Sequence, residues 1–398
     1  MVWDLRSTCI GESIVGHHCY YLPLIYGLFW VSFFLPGVTH AIESDFGGQL
    51  SGWTIQSKNQ DGWENNTGLR YIPFLNLTHA LDEDAFFDTE LSINSFLSTD
   101  ENSDGEHGDI EFYRLWIRYG SPQLEIRAGL QKINFGSAVL LRPLMWFDRI
   151  DPRDPLQLTE GVYGLLGRYY FLTNANVWVW ALLGEDETKG WEVFPSEKDS
   201  LEFGGRVQVP LFNGEIAISY HHREVDLEDQ IFPGLPASES SIPENRFGLD
   251  GKWDLGIGFW FEGALIHQDQ EVSSLRYKRL LNVGVDYTFD LGNGVNMVGE
   301  YFTIGTSEDI FDSGEAVSIS AISVNYPLGI LDNITAIIFY DWDNQDWYRY
   351  LRWQREYDNW GVYLMGFWNP DEFNIYQNGQ EETPYAGKGL QLLVVFNH

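Results

Sequence analysis

The sequence has almost no cysteine. Only Cys9 and Cys19 occur among its 398 residues, and both lie in the first 41. The rest of the chain therefore has neither a disulfide framework nor thiol chemistry.

Basic residues are also scarce. Without the first 41 residues the chain has 23 Lys and Arg against 56 Asp and Glu, a net charge of −33. Phosphate binding needs clustered Lys and Arg, so we exclude nucleic acid as a partner. A content of 44% hydrophobic residues excludes a disordered acidic chain. The acidic runs, such as residues 100–109 and 308–315, are typical of solvated loops, with cation binding as the alternative.

One long apolar run is present, at residues 20–38. Thr39 and Ala41 then place small residues at the two positions that a signal peptidase reads. They predict a secretory signal peptide, residues 1–41, that is cleaved before Ile42. Only Arg6 supplies a positive charge before the run. Two alternatives stay open: a later translation start, and an uncleaved anchor, since the run is long enough to span a bilayer.

The main positive signal is alternation of apolar and polar residues. Between positions 281 and 289 every second residue is apolar or aromatic, and residues 113–119 show the same pattern. Residues 88–97 also alternate, with Thr89 and Ser95 on the face of Leu91, Ile93 and Leu97. A period of two places successive side chains on opposite faces of a strand, so these segments predict strands. A soluble antiparallel sheet also alternates. The aromatic residues near strand ends, the export signal and the alternation of short and long gaps favour a membrane barrel instead.

We therefore predict an all-β fold: one closed, transmembrane antiparallel β-barrel over residues 42–398, with an inward-folded loop. Eighteen strands are expected, and sixteen remain an alternative. The expected strands lie near 46–57, 68–79, 85–97, 109–120, 123–133, 161–172, 175–184, 201–212, 214–224, 246–255, 257–268, 280–291, 294–305, 315–327, 333–343, 347–357, 359–369 and 388–397. The weakest is 347–357, where Arg349, Arg352 and Arg355 do not share a face.

An even strand number places both termini on one side, which we expect to be the periplasm. The last strand ends with Leu390, Leu392, Val394 and Phe396 on one face. This row resembles the C-terminal signal by which the barrel assembly machinery recognises outer-membrane proteins. That signal usually finishes on the aromatic residue, whereas here Asn397 and His398 follow.

Charges of both signs are expected on the inward faces of the strands. Two interpretations are open: selection of solutes by charge, and structural ion pairs that neutralise one another. The inward candidates by register are Arg70, Arg114, Arg118, Arg127, Arg168, Arg206, Arg246 and Lys252, with Asp88, Glu90, Glu125, Glu202, Asp250, Glu262, Asp286 and Glu300.

The longest gap, residues 134–160, is the most distinctive. Its apolar stretch would be unusual in water, so we expect it to fold into the barrel and narrow the pore. The alternative is a surface helix that contacts a partner subunit. The charged residues that this loop would present are Arg142, Asp148, Arg149, Asp151, Arg153 and Asp154.

A family resemblance appears at residues 127–136, Arg-Ala-Gly-Leu-Gln-Lys-Ile-Asn-Phe-Gly, followed by an Asp-Pro-rich loop. This pattern resembles Gram-negative outer-membrane porins of the alginate-export-like type. The resemblance implies an eighteen-stranded monomeric channel with a basic lumen. The mixed charges predicted here differ from such a lumen.

Signals for catalysis are weak. No Gly-x-Ser-x-Gly or phosphate-binding loop occurs, and His221 and His222 would point to opposite faces of one strand. We predict no catalytic residue, metal site or cofactor. A barrel hydrolase using Asp226 and His267 is the minor alternative.

The sequence thus predicts an outer-membrane channel for passive diffusion of small hydrophilic solutes, charged ones included. A plugged adhesin or structural barrel is the alternative. Expected partners are outer-membrane lipid, lipopolysaccharide, the assembly machinery and the solute, with monomer or trimer left open. The predicted lumen and constriction residues are Arg114, Arg118, Arg127, Arg142, Asp148, Arg149, Asp151, Arg153, Asp154, Arg168 and Arg206.

Deletion of residues 140–155 should raise single-channel conductance, because the obstructing segment would be absent. Planar-bilayer recording of the deletion variant beside the parent chain measures this. An unchanged conductance would contradict an inward constriction.

Overall fold

The computed structural model describes residues 42–398 except 61, 101–104, 228–240, 270–275, 311, 313 and 372–384. The predicted signal peptide, residues 1–41, lies outside the described residues, and so do parts of several predicted loops. No helix in the described part of the chain is long and apolar enough to cross a bilayer.

Eighteen strands form in the described residues, at the places where the alternation predicts them. Most boundaries agree with the prediction to within a few residues, which confirms the count. The strands are β1 Ile42–Lys58, β2 Trp63–Ala80, β3 Phe86–Asp100, β4 Gly105–Gly120, β5 Leu124–Gln131, β6 Val162–Tyr170, β7 Asn176–Leu183, β8 Leu201–Leu211, β9 Gly214–Asp226, β10 Ser241–Asp254, β11 Gly258–Gln268, β12 Tyr277–Phe289, β13 Val295–Ser307, β14 Glu315–Pro327, β15 Asp332–Asp341, β16 Asp346–Glu356, β17 Trp360–Trp368 and β18 Lys388–Asn397.

Each strand pairs antiparallel with its neighbours in sequence, and β1 also pairs with β18. The sheet is therefore closed and has no free edge. The segment that the sequence defines least, 347–357, is a regular strand. In it Arg352 faces inward, where its guanidinium donates to the carbonyl of Arg153 at 3.3 Å.

The two faces of the wall differ in polarity. Along β12, Leu281, Val283 and Val285 are 45%, 38% and 44% exposed, whereas Asn282 between them is fully buried. The apolar positions of the alternation thus lie on the outside of the barrel, as a lipid-facing surface requires.

Short turns join the strands at one end of the barrel, and most long loops lie at the other. Glycine or asparagine occupies several turn positions with positive φ, for example Gly256 at 87° and Asn174 at 63°, although Phe212 also has one, at 55°. The predicted loop 98–108 is mostly strand, because β3 and β4 continue to pair as far as Asp100 and Gly105. The segment 342–345 is short although it lies at the long-loop end.

The C-terminal residue completes the seam between the first and last strands. The backbones of His398 and Gly48 exchange two hydrogen bonds, at 3.0 and 3.1 Å. The His398 ring lies on the outer surface, 2.9 Å from the Tyr71 hydroxyl and stacked on that ring at 5.9 Å. It therefore continues the outward row of Leu390, Leu392, Val394 and Phe396.

We expect His398→Ala to lower the stability of the folded barrel by about 1 kcal/mol, because it removes a stacked ring pair and a hydrogen bond. His398→Phe, the matched control, keeps the stack and should retain most of the stability. The temperature at which the folded band converts to the unfolded band in detergent gels measures both. Equal temperatures for the alanine variant and the parent would contradict this role.

Candidate functional site

The long segment between β5 and β6, residues 132–161, folds into the barrel, and we call it the inner loop. Its backbone reaches the opposite wall. The Glu262 carboxylate of β11 accepts hydrogen bonds from the backbone N–H of Ala138 at 2.6 Å and of Leu144 at 3.3 Å. The predicted inward fold is thereby confirmed.

A second carboxylate, Glu300 of β13, binds the next part of the loop. Its two oxygens accept the N–H groups of Val139 at 2.6 Å, Leu141 at 2.7 Å and Leu140 between them. Asn282 of β12 donates to both the Leu141 carbonyl and Glu300. Glu262, Asn282 and Glu300 are 0%, 0% and 4% exposed, so water does not compete for these bonds.

Gly136 allows this approach. Its φ is +96°, and a Cβ at this position would lie 2.3 Å from the Glu262 carboxylate. Any larger residue would have to displace the carboxylate that holds the loop.

Apolar side chains of the inner loop cover the half of the lumen nearer the long loops. Beside the polar Glu262, Asn282 and Glu300, many inward positions of β11 to β17 here are apolar, a feature that the predicted charges of both signs do not include. The reason is that the inner loop packs against them and removes both surfaces from water. The shared cluster includes Leu140, Leu141, Leu144, Trp146 and Phe147 of the loop with Ala264, Leu280, Phe302, Ile319, Phe339, Tyr348 and Phe367 of the wall.

His221 lies within this aromatic packing. The Phe147 ring contacts the His221 ring edge-on, with 5.0 Å between the ring centroids. The Nε2 of His221 lies 3.2 Å from the Glu202 carboxylate. His222 points to the opposite face, where it contacts Asn245. The predicted divergence of the two histidines is confirmed.

The tip of the inner loop is attached to β16. Arg153 is 4% exposed, forms a 2.6 Å ion pair with Asp151 and donates to the Tyr350 hydroxyl at 3.2 Å. Its guanidinium also lies 4.9 Å from the ring centroid of Tyr385. The loop thus crosses the whole lumen before it returns to β6.

A second segment, residues 184–200 between β7 and β8, packs on the inner loop, and we call it the companion loop. Trp191 donates its indole N–H to the Arg142 carbonyl at 2.8 Å and stacks on Phe302 at 4.6 Å. Arg149 donates to the carbonyl and hydroxyl of Thr188. The sequence gives no direct signal for this contact beyond the apolar residues Trp191, Val193 and Phe194 in a gap rich in acidic residues.

The opposite part of the wall carries a row of inward arginines. Strand register aligns Asp88 with Arg118, Arg118 with Arg127, and Glu125 with Arg168. Arg118 binds Asp88 at 2.6 Å, whereas Arg127 and Arg168 share Glu125 at 3.2 and 3.4 Å. Two guanidinium groups for one carboxylate leave a positive charge on this face.

Tryptophan rings support this arginine row. The Arg127 guanidinium lies 4.7 Å from the Trp116 ring centroid, and that of Arg168 lies 3.9 Å from Trp178. Such cation–π contacts hold long side chains against the wall and keep their charge. The side chains of Arg127 and Arg168 each retain 15% exposure.

Other predicted lumen arginines are buried in the wall. Arg206 is 3% exposed and binds Asp250 through both terminal nitrogens at 2.6 and 2.8 Å. Arg114 is 6% exposed and donates to the carbonyls of Thr159 and Glu160 at the end of the inner loop. These two side chains therefore stabilise the interior and are not presented to a solute.

The inner loop faces β2 across a polar region. Asp154 accepts the backbone N–H of Leu156 at 2.9 Å and of Leu158 at 3.2 Å. Burial raises the pKa of this carboxyl, and those two N–H groups and the Arg70 guanidinium oppose the increase. Arg70 rests over the rings of Trp53 and Phe96. The carboxylate of Asp154 and the guanidinium of Arg70 thus attract each other where the inner loop approaches the side of the wall that carries the arginines.

The predicted loop residues have different fates. Asp148 and Arg153 are buried, so the expectation that they face a solute is wrong. Arg142, Arg149, Asp151 and Asp154 remain half-buried. Sequence reasoning placed Glu262 and Glu300 inward by register but missed their role as loop anchors. Gly136 was the one local signal of a close approach.

Metal and hydrolase chemistry find little geometric support. In the described residues, no three His, Cys, Asp or Glu side chains come together as a metal site. His267 of β11 packs on Tyr277 at 4.7 Å, while Asp226 lies on β9, two strands away.

No protein-family model matches the sequence, and no curated protein matches it. Solved structures match the fold. OccAB4 of Acinetobacter baumannii has a TM-score of 0.57 at 9% identity, covering 90% of this chain and 99% of that one. A BenF-like porin from Pseudomonas fluorescens has a TM-score of 0.56 at 10% identity, covering 89% and 98%. OccAB1 of Acinetobacter baumannii has a TM-score of 0.56 at 9% identity, covering 89% of this chain and 95% of that one. None of these structures supports the narrower resemblance to alginate-export-like porins.

Glu300→Ala should release residues 139–141, because the N–H groups of all three would lose their acceptor, and the buried ones of Leu140 and Leu141 would each cost about 1–3 kcal/mol. Amide hydrogen exchange of this segment should accelerate by at least about tenfold, since 1.4 kcal/mol is a factor of ten. Glu215→Ala is the control, because that carboxylate is exposed near the turns and bonds to Gln208. Equal protection of residues 139–141 in both variants would show that Glu300 does not hold the loop.

Proposed function

We propose that this chain is an outer-membrane channel that passes small hydrophilic solutes by diffusion. The observation that carries the proposal is the arginine row on one inner wall of a closed barrel whose outer face is apolar. The structural likeness to a BenF-like porin supports the same assignment. We place the short turns and both termini in the periplasm, after export by the signal peptide and insertion by the assembly machinery.

The path that we propose runs between the inner loop and the wall from β2 to β6. On this side Arg114 binds the loop at Thr159 and Glu160, and Val162 and Leu166 of β6 join the shared apolar cluster. The other apolar and aromatic contacts of the loop include β7, β9 and β11 to β17. Arg118, Arg127 and Arg168 line one side of the path, and Arg142, Arg149, Asp151 and Asp154 are its candidates on the loop. The lumen performs no covalent chemistry in this mechanism. It replaces bulk water with a narrow charged passage.

A plugged barrel with a structural or adhesive role is the second candidate. The observation in its favour is the aromatic packing of Trp146 and Phe147 inside the barrel, where they contact His221 of β9 and Trp180 of β7. Planar-bilayer recording separates the two. Stable ohmic steps from the purified, heat-modifiable barrel support the channel, and a folded barrel without steps supports the plug.

Charge at the arginine row should set ion preference. Replacing both Arg127 and Arg168 with Gln should shift the reversal potential in a salt gradient toward the value of a cation-selective pore. Glu125→Gln should shift it toward the value of an anion-selective pore. Each charge is worth about 0.4 kcal/mol at ~10 Å in water, or roughly a twofold change in permeability ratio. Arg349→Gln, on the outward side of β16, is the control. Reversal potentials that do not move in opposite directions would exclude the row from the ion path.

A further inference from the structure

Asp148 is a buried acid without a partner. The residue lies in the middle of the inner loop between Phe147 and Arg149, and it is 3% exposed. Neither carboxylate oxygen has a hydrogen-bond donor in the described structure. An ionised carboxylate in this position forgoes its hydration without compensation, so the neutral form fits the site better.

Three of the four cations around Asp148 are engaged elsewhere. Arg114 of β4 binds Thr159, Arg142 of the inner loop binds Phe135, and Lys189 of the companion loop pairs with Glu185. Lys132, at the base of the inner loop, acts most strongly on Asp148 among these charges. Within the described residues it forms no ion pair.

The energetics follow from this placement. Burial raises the pKa of Asp148 to about 6, and Lys132, Arg114, Arg142 and Lys189 only partly oppose the increase. In a released loop the carboxyl would return to its ordinary value of 3.8. The packed conformation is therefore favoured most below pH 4 and loses preference as the pH rises through 6. The ratio of packed to released loop changes by about a hundredfold over this range.

Because the inner loop packs around Asp148, the charge of Asp148 affects how this segment fills the lumen. Its neighbours Phe147 and Arg149 attach this segment to the aromatic cluster and to Thr188 of the companion loop. We propose that Asp148 is a pH-dependent latch: when neutral it keeps the inner loop packed against the companion loop, and when ionised it releases this segment and widens the pore.

The first test records conductance between pH 4.5 and 7.5. The parent channel should show conductance that rises with pH, with a midpoint near 6. Asp148→Asn, an uncharged isostere, should hold the low-conductance state throughout. Asp186→Asn is the control, because its carboxylate is in the companion loop but 62% exposed. Identical curves for the parent and Asp148→Asn would overturn the latch.

A second variant tests the direction. Lys132→Gln removes the strongest charge that favours ionised Asp148, so the conductance midpoint should move to higher pH. A midpoint that stays in place or falls would contradict the assigned pairing.

The conductance test rests on the proposed channel function. We therefore add a second measurement that does not depend on that function. Hydrogen exchange of residues 140–150 is compared between the parent and Asp148→Asn at the same pH, which cancels the intrinsic pH dependence. The parent should exchange at least about tenfold faster at pH 7.5, and this difference should shrink to roughly several-fold at pH 4.5. This difference without conductance steps would refute the channel and keep the latch. Equal exchange at pH 7.5 with normal steps would refute the latch and keep the channel.

Discussion

The interior of this barrel depends on two buried carboxylates that bind backbone N–H groups. Glu262 and Glu300 accept the backbone N–H groups of residues 138–141 and 144 of the inner loop. In a helix or a strand those groups would donate to backbone carbonyls instead. Each such group left buried without a partner would cost about 1–3 kcal/mol. The position of the loop, and with it the division of the lumen, therefore follows from these two side chains.

The consequence is an asymmetric lumen. The inner loop packs aromatic and aliphatic side chains against β7, β9 and β11 to β17, whereas the inward charges of the arginine row lie on the polar side, on β3 to β6. Because Arg127 and Arg168 share the single Glu125, the polar side keeps a positive charge in a chain that is strongly acidic as a whole. Ion pairing is thus structural at Arg206, where Asp250 neutralises it, and incomplete at the arginine row.

Much of the fold could be predicted because the period of two is a local property. It located all eighteen strands, assigned Arg118 and Arg168 to the inside and separated His221 from His222. The apolar composition of residues 140–147 also predicted that the loop enters the barrel. The site was less accessible, since Ala138 and Glu262 are 124 residues apart and Val139 and Glu300 are 161 apart. Nothing local identifies such partners.

The sequence by itself determined the closed barrel, its apolar exterior and the candidate charges inside, because alternation assigns each side chain to a face. Only the tertiary structure decided which of those charges remain accessible. Arg114 and Arg206 share the inward register of Arg118 and Arg168, and Asp148 and Arg153 lie in the same loop as the half-buried candidates, yet all four are buried. The physical reason is that burial inside a barrel depends on which segments cross its lumen, and that is set by contacts between residues far apart in the chain.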